Sequence, residues 1–314
     1  MNLQRGKFVF AMIVTAAAGA PGLGQTPAPA AVTSVTSNAV PIPDFSGLWT
    51  KPSLGFENPI SGPGPVRNFS RTPSGASNFN LLVGDYTNPI LQAWAANVVK
   101  KRGEISLSGK IFPDPDNQCL LQPVPYIFWN FEIQLLQQPD KVTILYPHDQ
   151  DYSQVRLNQP HPAKVVPSAH GDSVGHYEGD ILVIDTVGVK VGKYSMIDRL
   201  GTPYTEALHV VERYRLLDYE AAKEAQDRGQ KEWPLVGAYA VDRNYRGKGL
   251  QLEFTVEDAG VFTMPWKATT TYLRAGHTEW EERVCAENVQ HYYAGGHYYS
   301  DKDARIPTAD KPDF

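Results

Sequence analysis

The segment 168–188 constrains the fold more than any other stretch: Ser-Ala-His-Gly-Asp-Ser-Val-Gly-His-Tyr-Glu-Gly-Asp-Ile-Leu-Val-Ile-Asp-Thr-Val-Gly. It reads as a β-hairpin. Glu178-Gly179 sits at the tip, where glycine supplies the positive φ that a tight two-residue turn needs. The return strand 180–187 is rich in Ile, Leu and Val, as a buried or half-buried strand is. That loop pairs Tyr177 with Asp180, His176 with Ile181, Val174 with Val183 and Asp172 with Asp185. Side chains alternate between faces, so Asp172, Val174 and His176 share one face with Ile181, Val183 and Asp185, and His170 extends the row. We expect this face, with its imidazoles and carboxylates, to look into an enclosed apolar interior. A loop of three residues shifts the register by one and breaks the pairing with Asp185.

The rest of the chain supports a β-rich body. About ten strands are expected: one starting near Pro43, then 126–137, 141–146, 152–157, the two arms of the hairpin, 206–217, 235–244, 250–257, 266–273 and 279–285. Most are joined by short turns. Only two helices are expected, one opening at Asn88-Pro89 and running to Lys101, and one over 219–230 capped by Asp218. Leu91, Trp94, Ala95 and Val98 mark the inner face of the first. The segment 51–87, rich in Gly, Pro, Ser and Asn, reads as a long loop across a barrel mouth. The fold class is therefore mainly β: an antiparallel up-and-down β-barrel with two short helices, closed so that no strand edge is left exposed.

Composition narrows the class further. With 42% hydrophobic residues in 314, the chain can bury a substantial core. A net charge of −5 and no basic stripe exclude a nucleic-acid footprint. Residues 1–25 read as a secretory signal peptide: Arg5 and Lys7, an apolar run over 8–18, then small residues with a cleavage point after Ala20 or near Gln25. Residues 26–41 form a flexible linker, and 42–314 a single barrel domain. No other run is long enough to span a membrane. The expected location is periplasmic or secreted. Export brings an oxidising compartment, so the two cysteines, Cys119 and Cys285, are expected to form a disulfide, closing a loop worth about 4–5 kcal/mol on the chain-entropy model. The other reading is a pair of buried thiols.

Several motifs occur in order: Asp44-Phe-Ser-Gly-Leu-Trp49, Cys119-Leu-Leu-Gln-Pro123, the central 171–186 segment, Leu208-His-Val-Val-Glu-Arg213, Met264-Pro-Trp266 and Cys285-Ala-Glu-Asn288. Together they resemble an exported bacterial family whose central motif takes the form G-H-S-x-G-x-W-E-G-D-T-L-V-V-D-T. The resemblance covers most of the mature chain and implies no particular activity. Here Asp172 stands at the motif's His position and Tyr177 at its Trp. The Gly-x-Trp start is also similar to that of lipocalin-like (calycin) barrels, which implies a Trp closing the barrel floor; this is an analogy of fold.

No phosphate loop, dinucleotide fingerprint, nucleophile elbow, zinc-finger spacing or haem motif is present. The expected chemistry is therefore cofactor-free acid–base work, of lyase or isomerase type, on a hydrophobic or aromatic small molecule. His176 and His170 are the proton-transfer candidates, Asp172 and Asp185 orient them, and Tyr204 donates a hydrogen bond to a developing oxyanion. Tyr177, His161, His209, Tyr126, Phe128 and Trp129 are candidate substrate contacts. Two alternatives stand. His170 and His176 with Asp172 or Glu178 form a metal set whose spacing matches no standard pattern, so no metal is expected. A non-catalytic carrier would instead line the barrel with some of the 16 Tyr, 12 Phe and 6 Trp to hold a lipophilic ligand. On a regular strand over 206–215, His209 and Glu212 fall on opposite faces and so are not expected to act together. Strand edges could pair between subunits, but no stretch demands an oligomer.

Overall fold

Alternation of apolar and polar residues builds the wall of a closed barrel. A computed structural model describes residues 42–59, 61–110, 112–147, 151–234 and 241–277, all within the compact unit Val40–Phe314. Nine strands follow in chain order: β1 Gly47–Thr50, β2 Glu132–Gln137, β3 Lys141–Tyr146, β4 Asp151–Leu157, β5 Asp172–Glu178, β6 Ile181–Val187, β7 His209–Leu217, β8 Gly249–Glu257 and β9 Trp266–Arg274. Each pairs with its sequence neighbour, and β9 returns to β1. Two α-helices lie among the described residues, α1 Ala93–Leu107 and α2 Tyr219–Glu232. The expected class, a mainly β barrel with two helices, is what the chain adopts.

One seam differs from an up-and-down meander. Every antiparallel neighbour reverses strand direction, and a closed ring must reverse an even number of times. Nine strands therefore cannot all pair antiparallel. The exception is β4–β5, which is parallel, with Val155 opposite Ser173 and Leu157 opposite Gly175. The crossover 158–171 carries the chain back along the barrel's exterior. It leaves β4 through Asn158 at φ 56°, a left-handed position that Asn tolerates, and docks at Ser168, whose N–H donates to the Gly188 carbonyl at 3.2 Å.

The inward row is apolar over most of the bore: Leu135, Ile144, Val155, Leu182, Ile184, Val210, Leu252, Phe254 and Val256 are all buried. At the end where β1 runs into the long segment 51–131, aromatic residues stopper the barrel. Tyr126–Trp129 is a short 3-10 helix rather than the start of a strand, and all four residues are buried. The ring of Phe128 lies 5.1 Å from that of Phe254, and Phe56 lies 5.0 Å from the same ring. Trp129 meets Phe56 and Trp233 edge-on. Strand β2 therefore begins at Glu132, after the stopper has turned the chain.

At β1 the Gly-x-Trp start has a local cause. Gly47, at φ 122°, leaves room for Arg274, whose guanidinium would overlap any Cβ there and instead sits 4.0 Å from the Trp49 ring centroid. The indole N–H of Trp49 donates to the Phe45 carbonyl at 2.8 Å.

Outside, α2 covers β1 and β9: Gln226 donates to the Thr50 carbonyl at 3.2 Å and to that of Thr271 at 3.3 Å. The first helix starts later than expected, at Ala93. Asn88 does not cap it; its carboxamide oxygen accepts from the Ile90 N–H in the preceding turn, and Gln92 is the cap residue. Its buried stripe is Ala95, Val99, Gly103 and Ser106, while Trp94 is turned outward onto the Gly260 carbonyl. Of the expected strand 235–244, the described part carries an isolated bridge at Val241. The expected strand 279–285, Cys285 with its expected disulfide, the signal peptide and the linker lie outside the described residues.

Candidate functional site

The hairpin forms, but its turn is Gly179-Asp180 rather than Glu178-Gly179. Glu178 pairs with Ile181, His176 with Val183, Val174 with Asp185 and Asp172 with Val187. Moving a two-residue loop one step along the chain slides the register by two. The expected residues therefore still share a face, although Asp172 and Asp185 are not directly opposed. The face itself points the other way from expectation. Ser173, Gly175, Ile184 and Thr186 are the buried row, so Asp172, His176 and Asp185 lie on the barrel's outer surface. The return strand carries aliphatic residues on both rows, Ile181 and Val183 on one and Leu182 and Ile184 on the other, so the neighbouring strands decide: the inward rows of β4 and β8, with Val155, Leu157, Leu252 and Phe254, are the apolar ones.

On that outer surface the chain assembles a row of alternating charge. Arg156 donates two hydrogen bonds to Asp172, both at 2.9 Å. His161, from the crossover, places Nδ1 2.6 Å from Asp172 Oδ1 and Nε2 3.1 Å from Asp185 Oδ1. His209 on β7 places Nε2 3.1 Å from the same Asp185 oxygen, and its Nδ1 is 3.6 Å from Glu257. The paired cations hold both carboxyls below the usual aspartate range, Arg156 chiefly for Asp172 and His209 chiefly for Asp185. Asp185 in turn raises His209 above the ordinary histidine value, against its partial burial. Asp172, Asp185, His161 and His209 are thus brought together. His176 is not among them: it is exposed and bonds Glu178, which also takes Arg213.

His170 belongs to a different place. Its Nε2–H donates to Asp151 Oδ1 at 2.5 Å, and Asp151, almost fully buried, also accepts the Gln122 N–H at 3.0 Å. The other ring nitrogen, Nδ1, is buried and has no hydrogen-bond partner among the described residues. Tyr204 is not poised as a donor to an oxyanion, because its hydroxyl proton is committed to the Lys190 carbonyl at 2.8 Å. Tyr177 accepts from Gln137 Nε2 at 2.9 Å and packs against the core. Phe128 and Trp129, expected as ligand contacts, are stopper residues, and Tyr126 packs separately with Phe112 and Met196.

A second polar set lies inside the barrel. Glu212 on β7 is 3% exposed and accepts the Tyr214 hydroxyl at 2.8 Å. Burial pushes its carboxyl up to about 7. Tyr146 on β3 and Tyr272 on β9 are buried beside this pair, Tyr146 toward the Tyr214 hydroxyl and Tyr272 toward Thr270. Lys51, wholly buried, donates to the Gly55 and Phe128 carbonyls, and burial pushes its ammonium down to about 7. The alternation of β7 separates Glu212 from His209, as the sequence indicated. What the sequence did not indicate is that the inward side of that strand holds the stronger perturbation; the signal is an acid two residues from a tyrosine on an otherwise apolar row.

Two surface cavities bear on ligand binding. One groove of about 430 Å³ is mainly apolar; Ala169, Leu120, Leu121, Tyr194, Tyr204 and Lys190 are among its walls. The other, about 480 Å³, has several charged side chains in its lining, among them Lys267 paired with Glu253. Among the described residues no group of three or more His, Cys, Asp or Glu is arranged to hold a metal ion. No family model, curated protein or solved structure matches this chain.

Proposed function

We propose that the protein is an exported, cofactor-independent enzyme of lyase or isomerase type. It moves a proton on a hydrophobic or aromatic small molecule bound in the groove beside Ala169, with His170 as the group that takes or gives the proton. The observation that carries this reading is the His170–Asp151 pair. A buried carboxylate fixes one imidazole nitrogen and sets the tautomer, leaving Nδ1 as the basic atom, uncommitted to any partner among the described residues. The groove and the pair lie against the same two segments. Gln122, which clamps Asp151, lies between the groove residues Leu121 and Pro123, and Ala169 precedes His170. Asp151 is a positioning residue in this scheme, and Tyr204 shapes the wall.

The open apolar groove also suits a carrier, which needs binding without proton transfer. A single experiment separates the two. The mature protein is incubated in deuterated water with a panel of hydrophobic ketones and unsaturated acids, and deuterium incorporation is read by NMR. The enzyme reading expects incorporation into at least one panel member, reduced by about 10²–10⁴-fold in His170→Asn with binding retained. Binding without exchange in the unmodified protein supports the carrier and overturns the enzyme.

A further inference from the structure

We propose that the cleft of about 480 Å³ between the outer wall of β7–β9 and α2 binds a small hydroxylated carboxylate, such as a sugar acid or a hydroxy acid, with Arg215 taking the carboxylate and Glu57 a hydroxyl. This cleft shares no lining residue with the groove beside Ala169 and does not depend on His170 being catalytic.

Strand alternation places the parts. The period that turns Glu212 and Tyr214 inward turns Arg215 outward, and pairing carries that outer row across the sheet: Arg215 stands opposite Gln251, and Gln251 opposite Thr271. Two residues along, Glu253 stands opposite Thr269. Glu57 pairs with the other edge of Thr269, its N–H donating to the Thr269 carbonyl at 2.8 Å and its carbonyl accepting the Thr269 N–H at 3.1 Å. Helix α2 forms the remaining wall. Gly229 lets it come close, since a Cβ there would meet Ser53 Oγ at 3.0 Å and Glu57 Cγ at 3.5 Å.

The cations lining this cleft are paired with acids, with one exception. Lys267 meets Glu253 at 3.2 Å and Arg228 meets Glu224 at 2.7 Å. Arg215 has no carboxylate partner among the described residues. Instead the side-chain oxygen of Gln251 accepts its Nε–H at 3.0 Å and an Nη2–H at 2.6 Å. Gln251 is buried and is itself held by donating to Thr271 Oγ1 at 3.2 Å. A neutral amide thus fixes the plane of the guanidinium and leaves its charge uncompensated. The end of the fork, Nη1 with the second Nη2 proton, keeps the geometry that receives a carboxylate.

The same frame reaches Glu57. The Thr271 and Thr269 hydroxyls hydrogen-bond its carboxyl, Thr269 at 3.4 Å. Burial raises that carboxyl above the ordinary glutamate value, against both hydroxyls and the charge of Lys51. A carboxyl that keeps its proton can donate to a ligand hydroxyl as well as accept from one.

These groups select the ligand. One uncompensated cation suits a monoanion; a phosphate dianion would call for a second, and Arg228 and Lys267 are already engaged. No aromatic side chain is among the described residues of the lining, while Ser61, Thr269, Asn58 and Gln251 offer hydroxyls and amides. A hydroxylated body finds partners there and a greasy one does not.

The probes are D-galacturonate, D-gluconate and L-lactate, each titrated calorimetrically into the protein at pH 7, with D-galactose as the uncharged control. At least one acid should bind saturably, and galactose about tenfold or more weakly than galacturonate. Arg215→Ala removes the cation; Arg215 is exposed, so its truncation leaves the barrel core intact. Gln251→Glu gives Arg215 a carboxylate of its own, which competes with the ligand. Each should weaken binding by about tenfold or more. His170→Asn should bind as the unmodified protein does, which separates this cleft from the groove. No binding of any of the three acids, galactose binding as tightly as galacturonate, or affinity unchanged in both Arg215→Ala and Gln251→Glu overturns the proposal.

Discussion

His161 bridges Asp172 and Asp185, one ring nitrogen to each carboxylate at 2.6 and 3.1 Å. A neutral imidazole has a single N–H, so both contacts are donor bonds only when the ring is an imidazolium. The bridge fastens the crossover 158–171 to the hairpin, and the crossover is what makes the β4–β5 seam parallel. A surface charge row thus holds the one irregular connection of the barrel.

If that bridge is what fastens the crossover, His161→Ala should lower stability by about 1–3 kcal/mol and expose the crossover to proteolysis before the rest of the barrel. Limited trypsin digestion followed by mass mapping reads this at Lys164. A double-mutant cycle with Asp185→Asn should give a coupling of about 0.5–3 kcal/mol; additive effects would mean the bridge does not act as a unit.

Stability should be highest on the acidic side, between about pH 4 and 5. Burial raises Glu212 from 4.5 to about 7, and Asp114 and Asp198 each from 3.8 to about 6. An acid that holds its proton more tightly when folded contributes fully below its unfolded value. That contribution is lost as pH rises through the folded one. His209, raised by Asp185, likewise stabilises at low pH and loses this as pH rises past its folded value. Asp172 and Asp185 are lowered, so they work in the opposite sense and weaken the fold only as pH falls below about 4. Urea unfolding at pH 5 and pH 7.5 should show the decline. Glu212→Gln, which cannot ionise, should flatten it by roughly 1–3 kcal/mol.

The aromatic stopper should be costly to remove. Phe128 is 1% exposed and rests on Phe254, so Phe128→Ala leaves a cavity and should destabilise by about 3–5 kcal/mol. A smaller loss in denaturant unfolding would show that the bore can collapse around the gap.

Gly175 faces the parallel seam. A methyl group there would meet Val155 Cγ1 and the Val183 carbonyl, each at 2.8 Å. Gly175→Ala should therefore cost about 1–3 kcal/mol through overpacking. A thermal melt indistinguishable from that of the unmodified protein would show that the β4–β5 pair yields easily.

Much of the barrel was legible because hydrophobic alternation is strong in β3 and β8, and β6 is an aliphatic run bounded by turn residues. The shared face of Asp172, His176 and Asp185 was also legible, since moving a two-residue loop preserves it. Which way that face points was not, because it depends on which row of the neighbouring strands is greasier, a comparison across elements far apart in sequence. His170 and Asp151 could not be paired beforehand for the same reason: their meeting needs the crossover to run back along β4. Tyr126, Phe128 and Trp129 looked like ligand contacts because a packed stopper and a cavity lining have the same composition. The inward Glu212–Tyr214 pair was visible as spacing, but Tyr146 beside it comes from a distant strand.

The lone parallel neighbour between β4 and β5 also limits how such a barrel can change length. Adding or deleting a hairpin alters the ring by two strands and leaves its direction consistent. Losing one strand alone would force the crossover to disappear with it, or a second like-directed pair to arise. Relatives of this protein should therefore differ by whole hairpins, or else lack the segment that carries His161.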